Sequence, residues 1–256
     1  MTYSIDLNCD LGESYGSFKV GQDERVIPLI TSANIACGYH AGDHNIMSKT
    51  VQMAKKYAVA IGAHPSFYDL HGFGRRVMEA DPKEVYHLII YQLGALDGFA
   101  KIHQTKLHHV KPHGALYNLA ATNFDIAEAI AEAIYDYNPE LILYGLSGSK
   151  LIEAAKKRQL KVAEEVFADR TYLADGTLTP RTKQNALITD LEKCLKQVLQ
   201  MVKERSVTTV DGVVIPIQAD TICVHGDSPF ALELVEYLHK ELPKHNIHIQ
   251  PFGDER

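Results

Sequence analysis

The residues best suited to chemistry in this sequence stand in short clusters. In Lys111-Pro-His113-Gly-Ala-Leu-Tyr117 an apolar run ends on a lysine and a histidine. In extended chain Lys111 and His113 share a face. They are poor core material, because a buried ammonium must meet an acid or lose its proton. Asp6-Leu-Asn8-Cys-Asp10 likewise sets three polar side chains on one face of a strand. That is costly inside a fold unless they are paired or ligated, and a solvated strand edge is the plainer alternative. Ser32-Ala-Asn34-Ile-Ala-Cys-Gly-Tyr-His40-Ala-Gly-Asp43-His44 puts Asn34 inside a strand and two histidines four apart. On a helix His40 and His44 would share a face, as a metal-binding pair does. Gly42 and Asp43 between them point instead to a loop running into a helix cap.

Gly62-Ala-His64-Pro-Ser66 ends a third run on His64, and Arg75 and Arg76 follow the turn Gly72-Phe-Gly74. Guanidinium forks suit carboxylate or phosphate, though a structural ion pair is the competing reading. Glu164-Glu165-Val-Phe-Ala-Asp169-Arg170 carries acids inside an apolar strand, with Arg170 and Arg181 as the obvious partners. The group reads either as part of a site or as an ion pair that shapes the following loop. In Cys223-Val-His225-Gly-Asp227 the histidine and aspartate share parity at another strand end. Ser147-Gly-Ser-Lys150 feeds a helix but lacks the GxxxxGK[ST] phosphate-loop spacing, so a plain cap serves as well. Nine of the 13 histidines lie between His40 and His113, which is where the chemistry is expected.

These clusters need elements to hold them. Short apolar runs predict strands over 4–10, 32–37, 58–63, 108–113, 141–146, 162–167 and 221–224, each followed by a stretch able to form a helix. Helical spacing places Ile126, Ile130, Ile134 and Tyr137 on one face over 125–137, and Leu191, Leu195, Val198, Leu199 and Val202 on one face over 191–202. Asp81-Pro82-Lys-Glu84 is a helix start, with a cap, a first-turn proline and an acid at the third position. Ser228-Pro229 gives the same signal for a last helix ending before Pro243. Residues 170–181 read as an ordered loop. Asp211-Gly212 inside 207–217 reads as a hairpin. Strand–helix alternation argues a parallel sheet. Polar residues at nearly every strand end favour a closed barrel, whose strands all deliver side chains to one mouth, over an open sheet with a single switch point. The expected fold is therefore α/β: one domain over 1–256, a seven-stranded parallel β/α barrel with a hairpin outside its wall. Asp10, Asn34, His64, Lys111, His113, Glu165, His225 and Asp227 are expected to converge at its mouth.

Composition excludes several classes. The chain has 256 residues, 46% of them hydrophobic, and a formal net charge of −6. No basic balance marks a nucleic-acid binder. No apolar run is long enough for a membrane span. The N-terminus has no signal-peptide pattern, so a cytoplasmic location is expected. Cys9, Cys37, Cys194 and Cys223 form no CxxC pair and are expected as free thiols.

Taken in order, residues 6–14, 32–43, 62–66, 72–76, 111–118, 165–170 and 224–227 resemble the LamB/YcsF family, over about residues 4–230. The resemblance implies a seven-stranded barrel of the glycoside hydrolase/deacetylase type. It also implies the role of A subunit in an ATP-dependent 5-oxoprolinase, which opens 5-oxo-L-proline to L-glutamate with hydrolysis of ATP, together with subunits B and C. ATP would be a co-substrate, with Mg2+; no tightly bound organic cofactor is implied, and a homo-oligomer is compatible. For such a reaction Asp10, His64, Lys111, His113 and Glu165 are the catalytic candidates. Asn8, Asn34, His40, Arg75, Arg76, Asp169, Arg170, His225 and Asp227 are the candidates for holding substrate or phosphate. Positioning and charge dominate phosphoryl transfer, so the lack of a Ser/His/Asp triad is no objection. Two alternatives stay open. One is a metal-dependent deacetylase or amidohydrolase, with Asp10, His40, His44 and His64 around a divalent ion; the main reading has no metal site. The other is a non-catalytic subunit that binds 5-oxoproline.

Overall fold

The computed structural model describes residues 2–224 and 230–253. In chain order its strands are β1 (Tyr3–Leu11), β2 (Ser32–Ala36), β3 (Ala60–His64), β4 (His109–Val110), β5 (Ile142–Leu146), β6 (Val162–Phe167), β7 (Ser206–Thr208), β8 (Val214–Pro216), β9 (Thr221–Val224) and β10 (Ile247–Ile249). β1 to β6 pair in parallel sequence, β6 pairs with β9, and β9 pairs back on β1, so these seven strands close into a barrel. All seven expected strands are present, with ends shifted by a residue or two except at β4. There the ladder covers only His109 and Val110, because Pro112 has no N–H to give. The path continues beyond it as single bonds, from the Lys111 N–H to the Ala63 carbonyl at 2.9 Å and from the His113 N–H to that of Pro65 at 2.8 Å.

Helices sheath the barrel, and their starts follow the sequence signals. Asp81 caps Pro82–Ile102, Asn123 caps Phe124–Tyr137 and Asp190 caps Leu191–Leu199, each accepting backbone N–H groups of the first turn. Asp43 caps His44–Lys56, so His44 opens a helix rather than pairing with His40 along one. Ser149 caps Lys150–Lys157, so the 147–150 segment is a helix start. The helix expected over 191–202 runs into a wider π turn, Gln200–Glu204. The last helix, Ala231–Glu241, does end before Pro243, while Ser228 and Pro229 lie outside the described residues. No described helix is long and apolar enough to cross a membrane.

β7 and β8 form the expected hairpin as a separate antiparallel pair. β10 was not foreseen: three residues beyond the last helix pair with Tyr3, Ser4 and Ile5 of β1. Past it, Phe252 packs on Ile142 and Tyr144 and closes the end of the barrel where the strands begin. The aliphatic core lies between strands and helices, whereas the barrel interior is polar. Asp6, Asn8, Ser32, Asn34, His109, Lys111, Glu165 and Thr221 are all buried there.

Candidate active site at the mouth of the barrel

Strand parity sends every second residue inward, and the inward polar groups satisfy one another in tiers. At the lower tier the Asp6 carboxylate accepts hydrogen bonds from the hydroxyls of Thr31 (2.6 Å), Ser32 (2.7 Å) and Thr221. Burial raises the Asp6 pKa against the pull of those hydroxyls. Above it, Asn8 donates to Glu165 Oε1 (3.0 Å) and to Thr221 (2.7 Å), and its own carbonyl accepts from the Asn34 amide at 2.7 Å. Asn34 also donates to Asp10 at 2.9 Å and accepts from His109 Nε2 at 2.8 Å. The His109 ring lies directly over β3, where a Cβ on Gly62 would come within 2.1 Å of Nε2, so only glycine fits there.

Lys111 occupies the centre. Its Nζ meets Glu165 Oε1 at 2.8 Å and Asp10 Oδ1 at 2.9 Å, and donates to Cys223 Sγ at 3.0 Å and to the Asn8 carbonyl at 3.2 Å. Tyr117 donates to the other oxygen of Glu165 at 2.6 Å. Burial alone would pull the lysine pKa down, but Asp10, Cys223 and Glu165 outweigh it and hold the ammonium well above its ordinary value. Burial also pushes the Cys223 thiol well up, so at neutral pH that sulfur is a hydrogen-bond acceptor without charge, and the carboxylates carry the effect.

Nearer solvent, His64 Nδ1 bonds the Lys111 carbonyl (2.7 Å) and His113 Nε2 bonds that of Phe73 (2.8 Å). The other nitrogens of the two rings, His64 Nε2 and His113 Nδ1, are 2.9 Å apart. His64 Nε2 is also 3.4 Å from Asp10 Oδ2. The His40 ring stacks on His113 at 3.8 Å between centroids, and its Nε2 is 3.4 Å from Glu13 Oε1. Burial depresses the pKa of both His40 and His113. Gly74, with φ +65, lets the loop pass over this group: a Cβ there would lie 2.8 Å from both His113 and His40.

Of the expected site residues, Asn8, Asp10, Asn34, His64, Lys111, His113 and Glu165 thus lie in one buried network, with His40 beside it. His225 and Asp227 lie outside the described residues. Others depart from expectation. Arg76 is exposed and pairs with the buried Asp69, whose carboxyl it holds below the usual range; it fastens the 69–76 loop. Arg75 is also exposed, its guanidinium 5.0 Å from the Phe73 ring. Arg170 is buried and donates to the carbonyls of Thr179 (2.6 Å) and Ala186 (3.3 Å), clamping the 170–187 loop. Burial and the nearby Arg181 lower its pKa to about 10. It is not the partner of Glu164 or Glu165. Glu165 points into the barrel and finds Lys111, while Glu164 points outward to Ser147 and Lys156. Asp169 is buried at the start of that loop. His44 is exposed beside Asn45, so the metal set Asp10–His40–His44–His64 is not assembled. Among the described residues the group that does converge is Glu13, His40, His64 and His113, each with one ligand atom within 4.8 Å of the others.

The LamB/YcsF family profile matches residues 5–256. The chain belongs to the LamB/YcsF family. It is 60% identical to the A subunit of 5-oxoprolinase from Halalkalibacterium halodurans, over 98% of this chain and 97% of that protein. It is 55% identical to the protein of the same name from Staphylococcus carnosus, over 97% and 99%. A crystal structure of a lactam utilization protein from Thermus thermophilus superposes with a TM-score of 0.92 at 43% identity, over 97% of this chain and 100% of that one. A family 4 carbohydrate esterase from Streptomyces lividans shares the barrel alone, at TM-score 0.53 and 10% identity over 97% and 91%. Within this LamB/YcsF chain, reading from sequence missed Glu13, His109 and Cys223 Sγ. His109 was within reach, since it has the parity of Lys111 and His113. Glu13 was not: it lies beyond the end of β1, and the turn at Gly12 (φ +69) carries it out of strand alternation.

Proposed function

We propose that this chain is the A subunit of an ATP-dependent 5-oxoprolinase and holds the lactam at the barrel mouth. The observation that carries this is Lys111, an ammonium fixed between Asp10 and Glu165 among groups able to move protons. The names of the relatives at 55–60% identity support the same role. A five-membered lactam is a stable amide with a poor leaving group. Its carbonyl oxygen attacks the γ-phosphorus of ATP, and ADP departs. Water then adds to the activated carbon and gives a proton to a base. The ring C–N bond breaks as nitrogen takes up a proton, and a second water releases phosphate from the γ-glutamyl phosphate. Lys111 steadies negative charge on the phosphorylated oxygen. Asp10 and the His64–His113 pair take and return protons, and Glu165 keeps Lys111 charged and placed. Asn8 and Asn34 hold Asp10 in position. His40, Arg75, and His225 with Asp227, are the proposed contacts for the ring carboxylate and phosphate. ATP arrives with Mg2+, and subunits B and C complete the enzyme. Residues 1–256 act as one domain, as the apolar cluster running from Ile5 to Ile247 supports.

The test is release of glutamate and ADP from 5-oxoproline, by this chain alone and with its partner subunits. Stoichiometric glutamate and ADP from the complex is the expected result; none from either preparation overturns the proposal. The Glu13–histidine group favours a second reading, a metal-dependent amidohydrolase. That reading requires lactam or acetamide hydrolysis without ATP.

A further inference from the structure

The Lys111 network does not account for the histidines at the mouth. His64 Nδ1 and His113 Nε2 face backbone carbonyls, which only accept, so each of those nitrogens carries a proton. The remaining nitrogens, His64 Nε2 and His113 Nδ1, face each other at 2.9 Å, where two N–H groups cannot both point inward and either one proton or a metal ion lies between them. Glu13 Oε1 comes within 3.7 Å of the same His113 nitrogen. His40 is 1% exposed, and neither of its ring nitrogens has a hydrogen-bond partner among the described residues. Opposed lone pairs beside a buried carboxylate repel unless a positive centre lies among them.

We propose that Glu13, His64 and His113, with His40, bind one divalent transition-metal ion of the zinc class. Three features carry the assignment. Ligand atoms about 2.0–2.1 Å from a tetrahedral ion lie roughly 3.3–3.4 Å from one another. The separations here, 2.9 Å for His64–His113 and 3.7 Å for His113–Glu13, bracket that value. Both directed histidines hold their other N–H on a carbonyl, the outer contact that fixes tautomer and ring angle in metal-ligating histidine. Imidazole with carboxylate suits zinc, cobalt or nickel and disfavours magnesium and calcium, which take oxygen sets. His40 stacks face to face on His113, so an ion in the plane of one ring lies out of the plane of the other. His40 becomes the fourth ligand by turning about its Cβ–Cγ bond, bringing Nε2 round from beside Glu13. Asp10 Oδ2, 3.4 Å from His64 Nε2, then lies beside the ion. The site is independent of which substrate the mouth takes, and its test reads binding apart from turnover; in the ion-bound form Asp10 carries the proton transfers, because the ion takes the free nitrogens of His64 and His113.

The experiment uses the full chain, stripped with a chelator and checked for fold by circular dichroism. Zn2+ binding is followed by calorimetry and elemental analysis, and Co2+ binding by its visible absorption. One equivalent of Zn2+, visible Co2+ bands and a raised melting temperature are expected, with no competition from excess Mg2+. Glu13→Gln and His113→Gln should weaken binding by at least about tenfold. His44→Ala, on the exposed helix start, should leave it unchanged. Should His113→Gln fail to fold, Glu13→Gln and the wild-type stoichiometry decide. Less than a tenth of an equivalent, or binding unaffected by Glu13→Gln, overturns the site and leaves a shared proton between His64 and His113 in its place.

Discussion

Lys111→Met keeps most of the stem volume and removes the charge between Asp10 and Glu165. In the wild type that ammonium has carboxylate oxygens at 2.8 and 2.9 Å, with a sulfur and an amide oxygen completing its shell. Removing one member of a buried ion pair costs about 3–5 kcal/mol, because the remaining charge has neither water nor partner. Here two carboxylates are left facing each other, so the upper half of that range is expected. Domains of this kind have roughly 5–15 kcal/mol in total, so the variant should fold but unfold at markedly lower urea. Turnover by the reconstituted complex should fall at least about tenfold, which corresponds to ~1.4 kcal/mol at the transition state. Adding Glu165→Gln separates the two effects. It removes one of the stranded negative charges, still accepts from Asn8, and turns its amide toward Tyr117, whose hydroxyl can accept. The double variant should regain more than half of the lost stability while remaining inactive. Near-normal turnover of Lys111→Met would refute the role. Failure of Glu165→Gln to restore stability would refute the electrostatic account.

Three further outcomes are expected. Burial first, then His108 and Lys111, hold the His109 pKa well below its ordinary value; its contribution is therefore full above ~6.5 and is lost as pH falls through the folded-state value, by up to ~1.4 kcal/mol per pH unit. Urea melts at descending pH, with His109→Gln for comparison, should show the variant's stability falling less steeply. Gly62→Ala forces a methyl against the His109 ring and should cost about 1–3 kcal/mol, partly restored by a second change, His109→Ala; full stability of the single variant would contradict the packing. Arg76→Met takes its partner from the buried Asp69 carboxylate, which keeps the Gly72 N–H, and should lower the urea midpoint of unfolding, with the KM for ATP unchanged; a large rise in that KM would place Arg76 at the phosphate site.

Where local rules apply, the sequence was legible. Alternation alone put Asp6, Asn8 and Asp10 on one face, and Lys111 with His113 on another, and the barrel brings these faces together. Caps at Asp81 and Asp43 set the helix starts because a side-chain oxygen next to free N–H groups is a local event. Partners across the chain were not legible. Glu165 meets Lys111, 54 positions away, and Arg170 meets two carbonyls of its own loop, though sequence proximity had joined the two acids to the arginines. β10 was hidden because three residues carry too little pattern to show a strand, and their pairing with β1 depends on barrel closure. Glu13 was hidden because a positive-φ glycine interrupts the alternation on which the other assignments rest.

Charge explains why such a mouth needs more than its own side chains. Asp10, Glu13 and Glu165 are buried around it, and among the described residues Lys111 is the ammonium buried with them. Asp6 below is stabilised by hydroxyls, which serve either protonation state and add no positive charge. The ring carboxylate of a lactam acid and the phosphates of a nucleotide would thus enter a region that already carries negative charge. Binding them there requires added cations, and in a low-dielectric pocket each is worth more than in water. Arg75 at the rim is one; under the proposed function the Mg2+ that accompanies ATP would be a second, and an ion on the Glu13–histidine group would be a third. Asp10 joins the two halves, with one oxygen on Lys111 and the other beside His64. A cation on the histidine side would compete with Lys111 for the charge of Asp10. That shared carboxylate would thus couple occupancy of the outer site to the field around the inner ammonium.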